Sequence, residues 1–263
     1  MSMKSLSAIL ALMMVAAGAH GAPCALEDFE TSVSGESECL LMRRYGSLKP
    51  TTMVVWLHGN VSTGGPANSH FRIAEEAASD FAAENVLAVA LVRPGYPDGT
   101  GSASSGNDNG RADNWPRATI AEIGTAIERL RVKYQASAVV VVGHSGGAAI
   151  AAVLLGMKPQ LAVAAVLIAC PCDLVAWRAG RRGSPWSSEN PVQWIDKVGP
   201  AARVIALTGS RDGTTDPRLG RSYVDALKTR GIDADFQLVP DAGHIDVLGS
   251  PAVLAAVSRL LRR

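Results

Sequence analysis

Residues 139–156 read VVVVGHSGGAAIAAVLLG, from Val139 to Gly156. An unbroken run of valines meets Gly143-His144-Ser145-Gly146-Gly147, and an alanine- and leucine-rich run follows at once. A segment apolar at every position suits a parallel strand covered on both faces, and the residues after it suit a buried helix. The five residues between them satisfy G-x-S-x-G. In a nucleophile elbow the serine occupies a strained strand-to-helix turn, which lifts its hydroxyl above the sheet edge. Glycines two positions before and after relieve the crowding that side chains would cause, and the following helix turns its positive end toward developing negative charge. The same letters also make a plain tight turn without chemistry. The strand directly before and the helix directly after favour Ser145 as a nucleophile.

A serine hydroxyl needs a base, and the base needs an orienting acid. An elbow of this kind predicts the chain order serine, acid, histidine, with the last two after later strands. RVIALTGSRDGTTDP places Asp212 just beyond one apolar run, and FQLVPDAGHIDVL places His244 just beyond the next. Both stand at strand C-terminal ends, where open α/β sheets build their sites. Asp216 and Asp173 are rival acids, the first four residues past Asp212 and the second after the preceding strand in CPCD. Asp241 and Asp246 flank His244 too closely to be attractive. Of the other histidines, His70 falls on a helical pattern and suits surface or packing, and His144 should point away from the nucleophile. His58 reads as a brace for its loop.

Further apolar runs at Thr52 to Leu57, Val86 to Val92, Ala138 to Val142, Leu161 to Ala169, Arg203 to Leu207 and Asp235 to Val239 predict strands. Between them, Ile120, Ile123, Ile127, Leu130 and Tyr134 recur at helical spacing behind Pro116, Phe71 to Phe81 carries a similar stripe, and Pro251 to Leu261 reads as a last helix. Alternation of this kind predicts an α/β protein with a mostly parallel, doubly wound sheet and helices on both faces. No repeat or linker divides it, so residues 23–263 are expected to form one domain.

Two segments break the rhythm. Residues 96–115, YPDGTGSASSGNDNGRADNW, are rich in Gly, Ser, Asn and Asp and suggest a mobile surface loop, their acidic spacing matching no EF-hand. Residues 173–200 hold Trp177, Trp186 and Trp194, enough for a small flap and too few for a large cap domain.

The first residues, MSMKSLSAILALMMVAAGAHGA, place Lys4 ahead of an apolar run and then small residues. That layout predicts a signal peptide over about residues 1–22, which would carry His20 away, and an exported, periplasmic or secreted protein. The run is shorter than the roughly 20 residues that span a bilayer, so stable membrane insertion is not expected after cleavage. An oxidising compartment favours a Cys24–Cys39 disulfide. Cys170 and Cys172 would approach the ~7 Å Cα limit for a bridge if the backbone between them were extended, so they read as buried thiols or a strained bridge. No ligand set for zinc accompanies them. The chain holds 25 basic and 24 acidic residues, with no basic run to hold nucleic acid.

Acyl transfer also calls for oxyanion donors. One should be the backbone N–H of Gly146, directly after the nucleophile, and the other should come from VVWLHGNVSTGG, through Asn60 or Val61.

The segments LHGN, RPGY, GHSGG, TGSRD and AGH occur here in an order that resembles the α/β-hydrolase superfamily over nearly the whole chain after residue 22. The resemblance extends to small bacterial dienelactone-hydrolase-like esterases, though dienelactone hydrolases proper carry cysteine where this chain has Ser145. It extends also to the catalytic domains of prolyl-oligopeptidase-type peptidases, whose propeller has no counterpart here. It implies a serine hydrolase with Ser145, Asp212 and His244 as a triad, a small-molecule ester or peptide substrate, and no cofactor or metal. Ester hydrolysis is the leading expectation, peptidase or amidase activity the alternative, and a non-catalytic binding protein on the same fold the third.

Overall fold

The computed structural model describes residues 24–179 and 187–262. The expected signal peptide at 1–22 and Trp186 of the expected flap lie outside them.

Six parallel strands carry the molecule: β3 (Thr52–Leu57), β4 (Val86–Leu91), β5 (Ala138–His144), β6 (Ala164–Ile168), β7 (Arg203–Gly209) and β8 (Asp233–Val239). Two antiparallel strands, β1 (Ser32–Ser34) and β2 (Cys39–Gly46), extend one edge, giving the order β1-β2-β4-β3-β5-β6-β7-β8. These two were not among the expected strands.

Why the parallel strands read as solid apolar runs is visible in their alternation. Met53, Val55, Leu57, Val139 and Val141 enter one hydrophobic cluster, while Val54, Trp56, Val140 and Val142 enter the other. Each of these nine residues is buried because both faces are covered there. Helices α2 (Arg117–Tyr134), α3 (Gly146–Met157) and α5 (Pro217–Thr229) pack on the first face. Helices α1 (Phe71–Asp80) and α6 (Pro251–Leu261) pack on the second. Since β4 and β5 flank β3 on opposite sides, right-handed crossovers send α1 and α2 to opposite faces. The connections diverge between β3 and β5, which opens a crevice at the carboxyl ends of those two strands. The doubly wound sheet expected from the sequence is the one observed.

The 96–115 segment departs from expectation: it is bound to the sheet edge rather than loose. Ser104 and Ser105 lie along β2, where their hydroxyls accept the Leu41 and Cys39 amides at 2.9 and 2.7 Å. Tyr96 and Trp115 at its ends are buried, as is Asp98, which pairs with Arg43 at 2.8 Å. Polar composition misleads here because serine hydroxyls take the β2 amides and a carboxylate pairs with an arginine side chain. In the 173–200 segment, a short helix α4 (Leu174–Arg178) and a 3-10 stretch, Pro191–Lys197, bury Trp177 and Trp194.

Cys24 and Cys39 are bridged, tying the described N-terminus to β2. In the chain-entropy picture a loop of this size contributes about 3 kcal/mol. Cys170 and Cys172 are also bridged, which corrects the buried-thiol reading. Their Cα atoms are 5.0 Å apart because the backbone is not extended there. Ala169, at φ 50°, turns the chain immediately before them.

Candidate active site

Ser145 stands between β5 and α3 with φ 52° and ψ −117°, a conformation that L-residues rarely adopt. Neighbours impose it. The Ser145 amide donates to Ile168 O of β6 at 2.8 Å, while its carbonyl accepts the Ala148 and Ala149 amides that begin the helix. A Cβ on Gly143 would fall 2.2 Å from Gly147 O, and one on Gly147 would fall 2.3 Å from Leu57 O. Both glycines are therefore required for the turn and for the close approach of α3 to the end of β3.

The turn aims the hydroxyl at the loop after β8. Ser145 Oγ lies 3.1 Å from His244 Nε2, and His244 Nδ1 lies 2.9 Å from Asp212 Oδ2. The other oxygen of Asp212 accepts the Thr214 and Thr215 amides at 2.9 and 2.8 Å. Burial pushes the Asp212 carboxyl up, but the hydrogen bonds from His244 and from the two amides outweigh it and hold the group below its ordinary value. An ionised Asp212 only accepts, so His244 Nδ1 carries the proton and Nε2 is left to accept from the serine hydroxyl. Asp212 is fully buried, while the His244 side chain keeps 15 % exposure.

The rival acids have other partners. Asp216 caps α5, accepting the Arg218 amide at 2.9 Å and pairing with the Arg218 guanidinium at 2.6 Å. Asp173 caps α4 through the Val175 and Ala176 amides and also accepts from Asn190 Nδ2 at 3.3 Å. Asp246 accepts the Gly243 amide at 3.2 Å, within the His244 loop. His144, expected to point away from the nucleophile, supports the neighbouring loop: its Nε2–H donates to His244 O at 2.8 Å. Burial pulls His144 down to about 4, so it is a neutral donor. His70 is buried rather than exposed and donates to Leu91 O at 3.0 Å.

On the opposite side of Ser145 the loop after β3 passes over the elbow. A Cβ on Gly59 would lie 3.0 Å from Ser145 Cβ, so the loop that carries Asn60 passes directly against the elbow. His58 Nε2 accepts the Arg93 amide at 3.0 Å, which leaves Nδ1–H to donate to Gly59 O at 2.7 Å. Burial, aided by the positive charge of Arg93, holds His58 well below its ordinary value. The bracing role expected of His58 is visible in these contacts.

Arg93 is itself buried and donates to His58 O at 3.2 Å and to Asn60 Oδ1 at 2.9 Å. Asn60 Oδ1 also accepts Trp115 Nε1–H at 3.3 Å, while its Nδ2 donates to Ala112 O and Asp113 Oδ1 at 2.9 and 2.8 Å. Sequence reasoning missed Arg93 and Trp115. The available signal was an arginine directly continuing the apolar run of β4, a place where a charge needs buried partners.

Among the described residues no cluster of His, Cys, Asp or Glu has the make-up of a metal site. The arrangement can activate a hydroxyl and pass its proton.

The family model for the prolyl oligopeptidase family matches residues 94–260, a span holding Ser145, Asp212 and His244. No curated protein sequence matches the chain. Solved structures do. The Pyrococcus furiosus esterase Pf2001 is similar with a TM-score of 0.67 at 15% identity, covering 88% of this chain and 90% of that one. Est1E from Butyrivibrio proteoclasticus, solved with ferulic acid bound, gives 0.65 at 12% identity over 88% and 96% of the two chains. A predicted CIB-like hydrolase from Thermoplasma acidophilum gives 0.62 at 14% identity over 89% and 98%. At such identities the likeness establishes the α/β-hydrolase fold.

Proposed function

Because the chain belongs to the prolyl oligopeptidase family and is a serine hydrolase, we propose that it is an exported enzyme cleaving carboxylic esters through Ser145, His244 and Asp212. The observation that carries this reading is the continuous line from Ser145 Oγ to His244 at 3.1 Å and from His244 to Asp212 at 2.9 Å.

In the proposed reaction Ser145 Oγ attacks the ester carbonyl carbon and its proton passes to His244 Nε2. Asp212, held ionised, stabilises the imidazolium and keeps Nδ1 protonated throughout. The amides of Gly146 and Asn60 receive the oxyanion, as fixed dipoles that need no reorganisation when charge develops. Collapse expels the alcohol, which takes the proton from His244. Water, deprotonated by the same imidazole, then releases the acid and restores Ser145. The layout of residues 1–22 and the bridging of all four cysteines support export.

A fluorophosphonate probe and p-nitrophenyl butyrate test the reading. Wild-type protein is expected to be labelled at Ser145 and to hydrolyse the ester. Ser145→Ala is expected to lose both, with kcat down by about 10⁴-fold or more. Full esterase activity in Ser145→Ala, with unchanged folding, sinks the mechanism.

The family match favours a second reading, peptide-bond hydrolysis by the same residues. Peptide p-nitroanilides turned over at rates comparable to the nitrophenyl ester would make it the better one.

A further inference from the structure

Two oxyanion donors on separate elements are useful only if their separation is held. Each must stand about 2.7–3.1 Å from one oxygen that exists only in the transition state. Gly146 belongs to α3 and Asn60 to the loop after β3, so something must register one against the other. One side chain touches both. A Cβ on Gly146 would fall 2.7 Å from Cζ2 and 2.9 Å from Cε2 of Trp115, and 2.9 Å from Asn60 Oδ1. The Trp115 indole therefore rests against the Gly146 backbone, with its Nε1–H donating to Asn60 Oδ1.

We propose that Trp115 is a positioning residue that sets the two oxyanion amides relative to each other, an inference that rests on the triad reading above. Its own placement is over-determined. Trp115 N donates to Ser188 Oγ at 2.8 Å, Trp115 O accepts the Glu189 amide at 3.0 Å, and the side chain is 1% exposed. Asn60 is equally fixed, because the Arg93 guanidinium demands its oxygen and the Asp113 carboxylate demands its amide nitrogen. An indole fixed at one end and an amide that cannot flip at the other make a rigid spacer between the start of α3 and the loop after β3. A tryptophan present only to fill the core needs no partner on the loop that supplies a donor.

The test is Trp115→Phe in the full-length protein, which keeps an aromatic ring against Gly146 and deletes the donor to Asn60. With p-nitrophenyl butyrate, kcat should fall about 10- to 100-fold while KM moves less than about 3-fold, since only the transition state uses both amides. Phenylboronic acid, whose tetrahedral adduct places an oxygen in the same hole, should weaken by the same factor as kcat. In an Asn60→Ala background the Trp115 substitution should change kcat less than about 2-fold, because the link is already broken. Unchanged kcat in folded Trp115→Phe, a rise in KM alone, or effects of the two substitutions that simply multiply would each overturn the proposal. Should Trp115→Phe fail to fold, Asn60→Ala alone must show the same joint loss of kcat and boronate affinity, or the proposal falls. Wild-type protein that fluorophosphonate never labels would remove the triad reading itself, an outcome visible before any Trp115 variant is compared.

Discussion

The two flanks of Ser145 are built on opposite principles. Toward β7 and β8 stands His244, partly open to solvent, with a buried carboxylate behind it. Toward β3 and β4 stand His58, Arg93, Asn60 and Trp115, joined by hydrogen bonds and, apart from Asn60, almost wholly buried. One flank contains an imidazole whose Nδ1–H meets a carboxylate and whose Nε2 faces the Ser145 hydroxyl. The other contains a histidine driven neutral by burial and by the arginine beside it. A proton relay needs a titratable group near solvent, whereas an oxyanion hole needs dipoles that stay where they are. On the proposed reading, the difference teaches that one fold separates these demands by distributing them to different sides of one serine.

The strongest way to break that division is Asp212→Asn. An amide in place of the carboxylate no longer requires His244 Nδ1 to be the protonated nitrogen, so kcat for a nitrophenyl ester should fall about 10⁴-fold with little change in KM. A loss under about 10-fold would show that Asp212 does not orient the base.

The buried histidines sharpen the contrast through stability. His144 and His70 are pulled down to about 4 and about 3, and His58 well below its ordinary value, in each case chiefly by burial. Unfolded, each titrates near 6.5. Below about pH 6.5 the unfolded chain therefore binds protons that the native state refuses. The stability these groups contribute is complete above that pH, and it is lost as the pH falls toward about 4 for His144 and about 3 for His70. The carboxylates held low, such as Asp212 and Asp235, act only below about pH 4, near their own unfolded values. Calorimetry should show Tm level from pH 8 to 7 and falling between 6.5 and 4.5, with uptake of up to three protons on unfolding. A Tm constant down to pH 4.5 would contradict the neutral, buried state of these rings.

The smallest expected effect is at Asp216. Replacing it with Ala removes the cap of α5, so stability should fall by about 0.5–2 kcal/mol. The kcat should stay within about 2-fold of wild type. A large loss of activity in folded Asp216→Ala would transfer the orienting role away from Asp212.

How much of this was legible follows from what each feature needs. The parallel strands were, because burial on both faces leaves solid runs such as Val139 to Val142. Strand β2 was not: Arg43, Arg44 and Tyr45 are only partly buried near the sheet edge, and the segment carries no apolar run of that kind. Ser145, Asp212 and His244 could be named because each follows its own strand in a fixed order. Arg93 and Trp115 could not be given partners, since their meeting at Asn60 joins positions 33 and 55 residues away in the chain. Nor could the Cys170–Cys172 bridge be settled, because it depends on the turn at Ala169.

The positive φ of Ser145 limits which residues can ever occupy the elbow. Threonine offers the same hydroxyl, but a branched Cβ is disfavoured at φ 52°, so the obvious alcohol replacement is closed by backbone rather than by reactivity. Cysteine is unbranched and meets no such barrier. With Ser145 as the proposed nucleophile, the geometry of one turn narrows the choices open to this scaffold to an alcohol or a thiol on a single methylene, a restriction on its evolutionary alphabet written in torsion angles.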